Sequence, residues 1–397
     1  MSQKILKRLQ MNIRTYTMIF ALLLIWFLFG ILTDWVFFSP RNLSNLFRQM
    51  TIISFLACGM VLVIVTGNID LSVGSVTGFV SAIAAALQAY ILPSILPNLF
   101  TGYSPFAIGT ISTIITIVSS LIIGVLVGVF QGVFIAYLRV PAFIVTLGGM
   151  LIFRGGVLGI TQGKTIVPIH DTFRMIAQGY FSNEVGWIIT FFVVIAIFYN
   201  TILNRTKKKE YGFQLQPLYR DILKAGLISL LIVVFVFLMN EYRGLQIPVF
   251  ILAVVAAIIA YITNNTRFGR YAYAIGGNRE ATRLSGINIP KNIFLIFVLM
   301  GLLCGVAGII LTGYVAAGTI GAGLNYELDA IASCILGGTS TLGGVGTVYG
   351  AVMGSLIMAS LANGMSVMNM DIFWQYIIKG LVLILAVYID VATKKTR

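Results

Sequence analysis

An all-α, polytopic transmembrane helical bundle of about 10–12 spans, with broken helices and both termini cytoplasmic, is the fold class this sequence predicts. Three observations lead there. Of 397 residues, 59% are hydrophobic and 10% are charged, whereas soluble domains carry roughly 25% charged residues. Many apolar runs reach the roughly 20 residues that cross a hydrocarbon core. The basic residues cluster instead of scattering. Lys4, Lys7, Arg8 and Arg14 precede the first run, and Arg205, Lys207, Lys208, Lys209, Arg220 and Lys224 share a central loop. Arg267, Arg270, Arg279, Arg283 and Lys291 form an island between two runs, and Lys394, Lys395 and Arg397 end the chain. The positive-inside rule makes cytoplasmic segments of 1–16, 204–224, 267–291 and 392–397. Asp34, Asp171, Glu184, Glu241 and Asp371 fall between them and are placed outside. The net charge of +14 therefore sets topology and does not imply nucleic acid. The whole chain, 1–397, reads as one membrane domain.

The elements follow in order. An uncleaved first span covers about Thr17 to Phe38, because no small-residue cleavage site follows it. Arg41 to Arg48 is a short outer connection. Thr51 to Thr66 and Leu71 to Leu92 are runs broken by TGNID, and Pro93, Pro97 and Pro105 mark a loop. Phe106 to Leu138 is a long span, and Pro141 opens another to about Ile160. Thr161 to Gly186 is a polar connection. Trp187 to Leu203 crosses back to the basic loop. Ala225 to Met239 and Pro248 to Ile262 form a hairpin joined by NEYRG. After the island, Asn292 to Val315 crosses again. Glu327 to Gly364 is a long apolar stretch broken by GGTSTLGGVG, and Ile372 to Val391 is the last span. The count is ten crossings if that glycine-rich break folds back and twelve if both arms cross.

The island, Arg267 to Lys291, contains a helix in miniature. Gly276-Gly277 interrupts the chain, and Asn278 offers an N-cap side chain to the free N–H groups of the next turn. Glu280 falls in the first turn, where the helix dipole favours negative charge. Gly286 fits the left-handed position past a helix end, and Pro290 delays the next span. Arg279 to Ser285 thus reads as a two-turn helix outside the membrane. Arg279 and Arg283 share a face, and Leu284 presents an apolar knob one turn from Ala281. Such a helix either connects spans or plugs into a soluble partner.

Within TGNIDLSVGS, an ionised Asp70 in the middle of a span would cost about 2.5–3.5 kcal/mol or more. A broken helix resolves this: Asp70, Ser72 and Ser75 cap the second arm, whose free N–H groups need partners in lipid. Capping and a place on a translocation path remain alternative roles for Asp70. Asn68 in this break, and Thr339 and Ser340 in the glycine-rich one, are candidates for the same two roles. GSVTG after the first break and GTVYG after the second form a weak internal echo, of the kind repeat-built transporters show. Gly346, Gly350 and Gly354, like Gly124, Gly128 and Gly132, are spaced for close helix packing.

Several functions are excluded. Cys58, Cys304 and Cys334 lie in apolar surroundings, and His170 is the single histidine, so no Cys/His metal site or serine triad is available. Gly163-Lys164-Thr165 imitates the end of a P-loop, but Leu158 occupies the place of its first glycine. Any ATP must be hydrolysed by another chain.

YAIGGN (Tyr273 to Asn278) and EATRLSGIN (Glu280 to Asn288) resemble the cytoplasmic coupling loop of bacterial sugar permeases of the ABC transporter class. TGNIDLSVGS resembles the family's signature, with Asn68 where Gly or Glu is commoner. RNLSNLFRQ, VPAFIVTLGGMLIFRG (Val140 to Gly155), the Glu327–Ser366 block and FWQYIIKG (Phe373 to Gly380) extend the likeness to the C-terminus. Gln214 to Pro217, the extra hairpin and NEYRG resemble D-xylose permeases. The resemblance implies a permease that carries no cofactor, in the inner membrane of a bacterial cell. Its implied partners are a second permease copy, a sugar-binding protein, and a tandem-cassette ATPase that binds ATP and Mg. The coupling residues would be Asn278, Arg279, Glu280, Ala281, Arg283 and Leu284. An ion- or proton-coupled secondary sugar transporter is the alternative; it needs several buried carboxylates, for which Asp70, Glu327 and Asp329 are available.

Overall fold

The computed structural model describes residues 2–213, 215 and 217–395, with side chains described from 17 onward except 389 and 392–395. The side chains of the basic ends 1–16 and 392–397, and Gln214 and Gln216 of the central wording, lie outside the described residues.

Among the described residues sixteen α-helices follow one another. The first four are α1 (Ser2–Leu32), α2 (Pro40–Val65), α3 (Val73–Ala86) and α4 (Leu92–Leu99). Next come α5 (Pro105–Gly132), α6 (Ala142–Thr161), α7 (Asp171–Gln178) and α8 (Asn183–Glu210). The second half holds α9 (Leu218–Asn240), α10 (Ile247–Asn265), α11 (Arg267–Gly277) and α12 (Arg279–Leu284). It closes with α13 (Ile289–Val315), α14 (Tyr326–Leu336), α15 (Val348–Val367) and α16 (Ile372–Lys395). No strand occurs among the described residues.

The bundle is built around α2 and α13. Every residue from Met50 to Val65 is buried, so this part of α2, apolar but for Thr51 and Ser54, is enclosed by other helices on all sides. α13 packs between α2, α3 and α5. A Cβ on Gly124 of α5 would collide with the Gly301 carbonyl of α13, and one on Gly301 with the Gly124 carbonyl. Backbone contact replaces side-chain interdigitation there, as bilayer packing favours. α8 and α9 form a peripheral hairpin whose faces are mostly exposed apolar side chains.

Several boundaries differ from expectation. Arg41 to Arg48 is not a connection but the first turns of α2, because Ser39 caps the helix at the Asn42 N–H and Pro40 pre-sets its first turn. Pro93 and Pro97 do not end a span. A π-turn, Leu87–Ile91, leads into α4 with Pro93 in its first turn, where a missing N–H does no harm. The connection 161–186 contains α7, capped by the ring of His170, whose Nδ1 accepts from the Thr172 N–H at 3.2 Å. Gly276-Gly277 does not interrupt α11, which runs to Gly277 and stops at Asn278. Gly346 precedes α15 and shares no helix face with Gly350 and Gly354.

The largest addition lies before α14. Ala316 turns left-handed at φ 55°, and residues 316–325 are not regular helix. They run antiparallel to α3: Gly318 lies against Ala85, and Gly323 against Gly74 and Gly78. The Ile166 and Gly318 backbones exchange hydrogen bonds of 2.8 and 3.0 Å. Arg154 Nη1 donates to the Ala322 carbonyl at 3.1 Å. Irregular backbone inside a membrane bundle needs such partners. α14 completes the descent, with Cys334 Sγ beside the Ala57 carbonyl of α2. Nine helices among the described residues are long and apolar enough to cross, and Thr17–Leu32 and Ile372–Tyr388 add two shorter apolar stretches. The described segment 316–336, half extended and half helical, carries the chain from the end of α13 to the glycine-rich break.

Candidate functional site

The island folds into two helices with a corner at Asn278. The Thr266 hydroxyl accepts from the Gly269 N–H to start α11. Asn278 Oδ1 accepts from the Ala281 N–H at 2.9 Å to start α12. Gly286 adopts φ 77° just past α12, and Asn288 caps α13 through the Lys291 N–H at 2.9 Å. Glu280 and Arg283 pair at 2.5 Å on the open face of α12. Leu284 is 76% exposed, an apolar side chain presented outward among charges. Arg279, Glu280, Ala281, Arg283 and Leu284 are all exposed, while Thr282 turns inward.

The loop bears on the spans through α11. Ala272 and Ile275 are buried against the core. A Cβ on Gly276 would collide with the Val65 carbonyl, the last of α2. The Tyr273 hydroxyl donates to the Gly346 carbonyl at 2.7 Å, and burial pushes this phenol's pKa up, which keeps it a donor. The Gly344 N–H donates to that same Val65 carbonyl at 2.8 Å. So α11 lies against the end of α2 and against the glycine-rich break together, with the first break one residue away at Thr66.

The first break, 66–72, is held by its own polar groups. Asp70 Oδ1 accepts from the Ser72 N–H at 2.8 Å and from the Ser72 hydroxyl at 2.7 Å. Gln131 Nε2 of α5 donates to the Ser72 hydroxyl at 2.7 Å. Asp70 therefore closes a turn at the entry of α3 and ties it to α5. Ser72 stands at the N-cap of α3 without a side-chain capping bond, and Ser75 is buried inside the first turn. Asn68 Nδ2 donates to the Thr66 hydroxyl at 3.0 Å.

The second break is a loop folded upon itself. Gly338, Gly343 and Gly344 all have positive φ, and the Ser340 N–H donates to the Val345 carbonyl at 2.8 Å. Ser340 Oγ accepts from the Leu342 N–H at 3.2 Å. Thr339 is fully buried, and its hydroxyl has no partner. The cap of α15 is Thr347, which accepts from the Gly350 N–H at 3.0 Å. Thus Asn68, Asp70, Ser72 and Ser75 gather at one break and Thr339 and Ser340 at the other, with the end of α2 between them.

A further polar group was not singled out as a site. Lys379 of α16 pairs with Asp329 of α14 at 2.9 Å, and both side chains are mostly covered. They line a cavity of about 420 Å³ with Asn325, Tyr326, Gln375 and Tyr376. The signal was present: Asp329 and Lys379 are ionisable residues inside apolar runs. Their meeting was not, because 50 residues separate them.

Comparison with known proteins agrees in direction. A family described as "Branched-chain amino acid transport system / permease component" matches residues 42–216 and 182–387. The xylose transport system permease protein of Haemophilus influenzae is 41% identical over 384 residues, 97% of this chain and 98% of the relative. That of Escherichia coli K12 is 41% identical over 388 residues, 97% and 93% of the two chains. The ribose import permease protein of E. coli K12 is 32% identical over 354 residues, 89% and 87%. No solved structure matches the chain.

Proposed function

The chain belongs to the family described as branched-chain amino acid transport system / permease component, and we propose that it is the permease subunit of an ATP-driven D-xylose importer. Two relatives carry the names of xylose permeases over nearly the full length, and a ribose permease is more distant. A multi-pass membrane protein of this family is a transport component, not an enzyme. ATP and Mg bind to a separate tandem-cassette ATPase, a sugar-binding protein delivers the monosaccharide, and a second permease copy completes the path. The setting is the inner membrane of a bacterial cell, with both termini, 204–224 and the island cytoplasmic.

The observation that carries the reading is the connection from α12 through α11 to both helix breaks. An exposed, capped, charged helix with a projecting leucine is suited to a cleft on a soluble partner. A displacement of α12 would move α11, and α11 bears on Val65 and on Gly346. ATP-driven closure of the partner thereby biases the breaks between two arrangements. The coupling residues are Asn278, Arg279, Glu280, Ala281, Arg283 and Leu284. The relatives named above lend nothing to an ion-coupled mechanism.

Reconstitution with the ATPase and binding protein tests this against a panel of labelled pentoses and hexoses. Uptake should require ATP, favour D-xylose and survive a proton uncoupler. Uptake that collapses with the uncoupler and ignores ATP would overturn the proposal.

A further inference from the structure

The cavity between α14, α15 and α16 has no assigned role, and its lining is chemically specific. It combines two amides (Asn325, Gln375), two phenols (Tyr326, Tyr376) and the Asp329–Lys379 ion pair. Its volume of about 420 Å³ lies within the range for small-molecule sites, about 300–1,000 Å³. We propose that this cavity is a monosaccharide-binding station on the translocation path. The inference rests on the import function proposed above.

The charge pattern selects the ligand class. Asp329 and Lys379 neutralise each other at 2.9 Å, so an ionic solute meets no net charge to pair with. A neutral polyol finds acceptors at Asp329, donors at Lys379, and both at the amides and phenols. Aromatic rings beside these groups give an apolar face to a sugar ring. A long hydrophobic solute would leave the polar groups without partners, which costs more than a neutral exchange of hydrogen bonds.

Position agrees with this. Asn325 is the last residue of the non-helical segment 316–325, and irregular backbone within a bundle is tolerated where it is buried or lines a wet cavity. The mouth opens on the bundle surface beside Leu324, Leu328 and Ile372, all exposed. An open polar cavity facing acyl chains would be unfavourable. Water and the second permease copy of the proposed dimer provide the cover it needs.

Gln375 and Tyr376 are suited to substitution because the ion pair stays intact. In the reconstituted importer, Gln375→Leu combined with Tyr376→Phe should keep ATPase recovery and ATP hydrolysis at wild-type level. D-xylose uptake per ATP should fall roughly tenfold, as expected for two lost hydrogen bonds. Gln375→Cys, in a background with Cys58, Cys304 and Cys334 replaced by alanine, should react with a membrane-impermeant thiol reagent. Excess D-xylose should slow that reaction during turnover. Leu381→Cys, on an exposed apolar position of the same helix, should stay unreactive. Wild-type uptake per ATP in the double variant, or a Gln375→Cys as inert as Leu381→Cys, would overturn the site while leaving the importer intact. Failure of the wild-type chain to import any monosaccharide would instead overturn the import function, and the sugar station with it.

Discussion

α11 and α12 adjoin in sequence and are held in opposite ways. α11 is fixed from outside itself: Ala272 and Ile275 are in the core, Gly276 touches the end of α2, and Tyr273 is bonded to the second break. α12 is fixed from within, by the Asn278 cap and the exposed Glu280–Arg283 pair. On the function proposed above, α11 transmits force because it is packed, and α12 receives the partner because it is not.

Substitutions can break that contrast, and the largest effect belongs to α11. Gly276→Leu should strip folded protein from the membrane, because its side chain must displace the Val65 carbonyl. Overpacking typically costs about 1–3 kcal/mol and more against backbone. Gly277→Ala, where an added Cβ meets open space, should leave abundance unchanged. Fluorescence-detected gel filtration of the two variants gives the comparison, and equal profiles would remove α11 from the structural role.

Glu280→Arg should do the reverse. It alters an exposed pair, so abundance and monodispersity should match wild type. Recovery of the ATPase and ATP-driven uptake should be lost, since truncating or reversing one member of an interfacial charge pair costs about 2–5 kcal/mol. Ala281→Trp should act likewise through bulk. Full ATPase recovery in both variants would reduce α12 to a connector.

A smaller effect is expected from the cap. Asn278→Ala removes an acceptor worth about 1 kcal/mol, so affinity for the ATPase should weaken roughly fivefold. Asn278→Asp should restore it. Titration of labelled ATPase against permease in nanodiscs measures both, and an equal loss in the two variants would assign Asn278 to direct contact instead of capping.

Tyr273→Phe is the mildest. It deletes one hydrogen bond to Gly346, a loss of about 1 kcal/mol, and should lower thermal stability by a few degrees with docking preserved. Because burial raises this phenol, its stabilisation is fully present below the ordinary value of 10.0 and is lost only as pH rises past it. The wild-type advantage should therefore be the same at pH 6 and pH 8. A difference between those two pH values would place a different titrating group at this contact.

The island shows how far local chemistry can be read. The Asn278 cap, Glu280 in the first turn and the left-handed Gly286 depend on neighbours within a few residues, and each was legible. The role of Gly276 was not. It reads as an interruption by composition, yet it is helical, because the constraint on it is a carbonyl of α2 more than 200 positions away. The first break shows the same division. That TGNID interrupts two apolar runs was evident, whereas Asp70, read as a cap of the second arm, instead closes a turn onto Ser72, which holds the N-cap position. The bond from Gln131 to Ser72, across 59 residues, was not evident.

By itself, then, the sequence determined the membrane class, the two helix breaks, the basic segments and the short capped helix α12, since these follow from composition, hydropathy and short-range hydrogen bonding. Only the tertiary structure decided which glycines are contact points, that 316–325 runs along α3 without being a helix, and that Asp329 meets Lys379. Each of these depends on which backbones come together, and long-range pairing leaves no periodicity in a single chain.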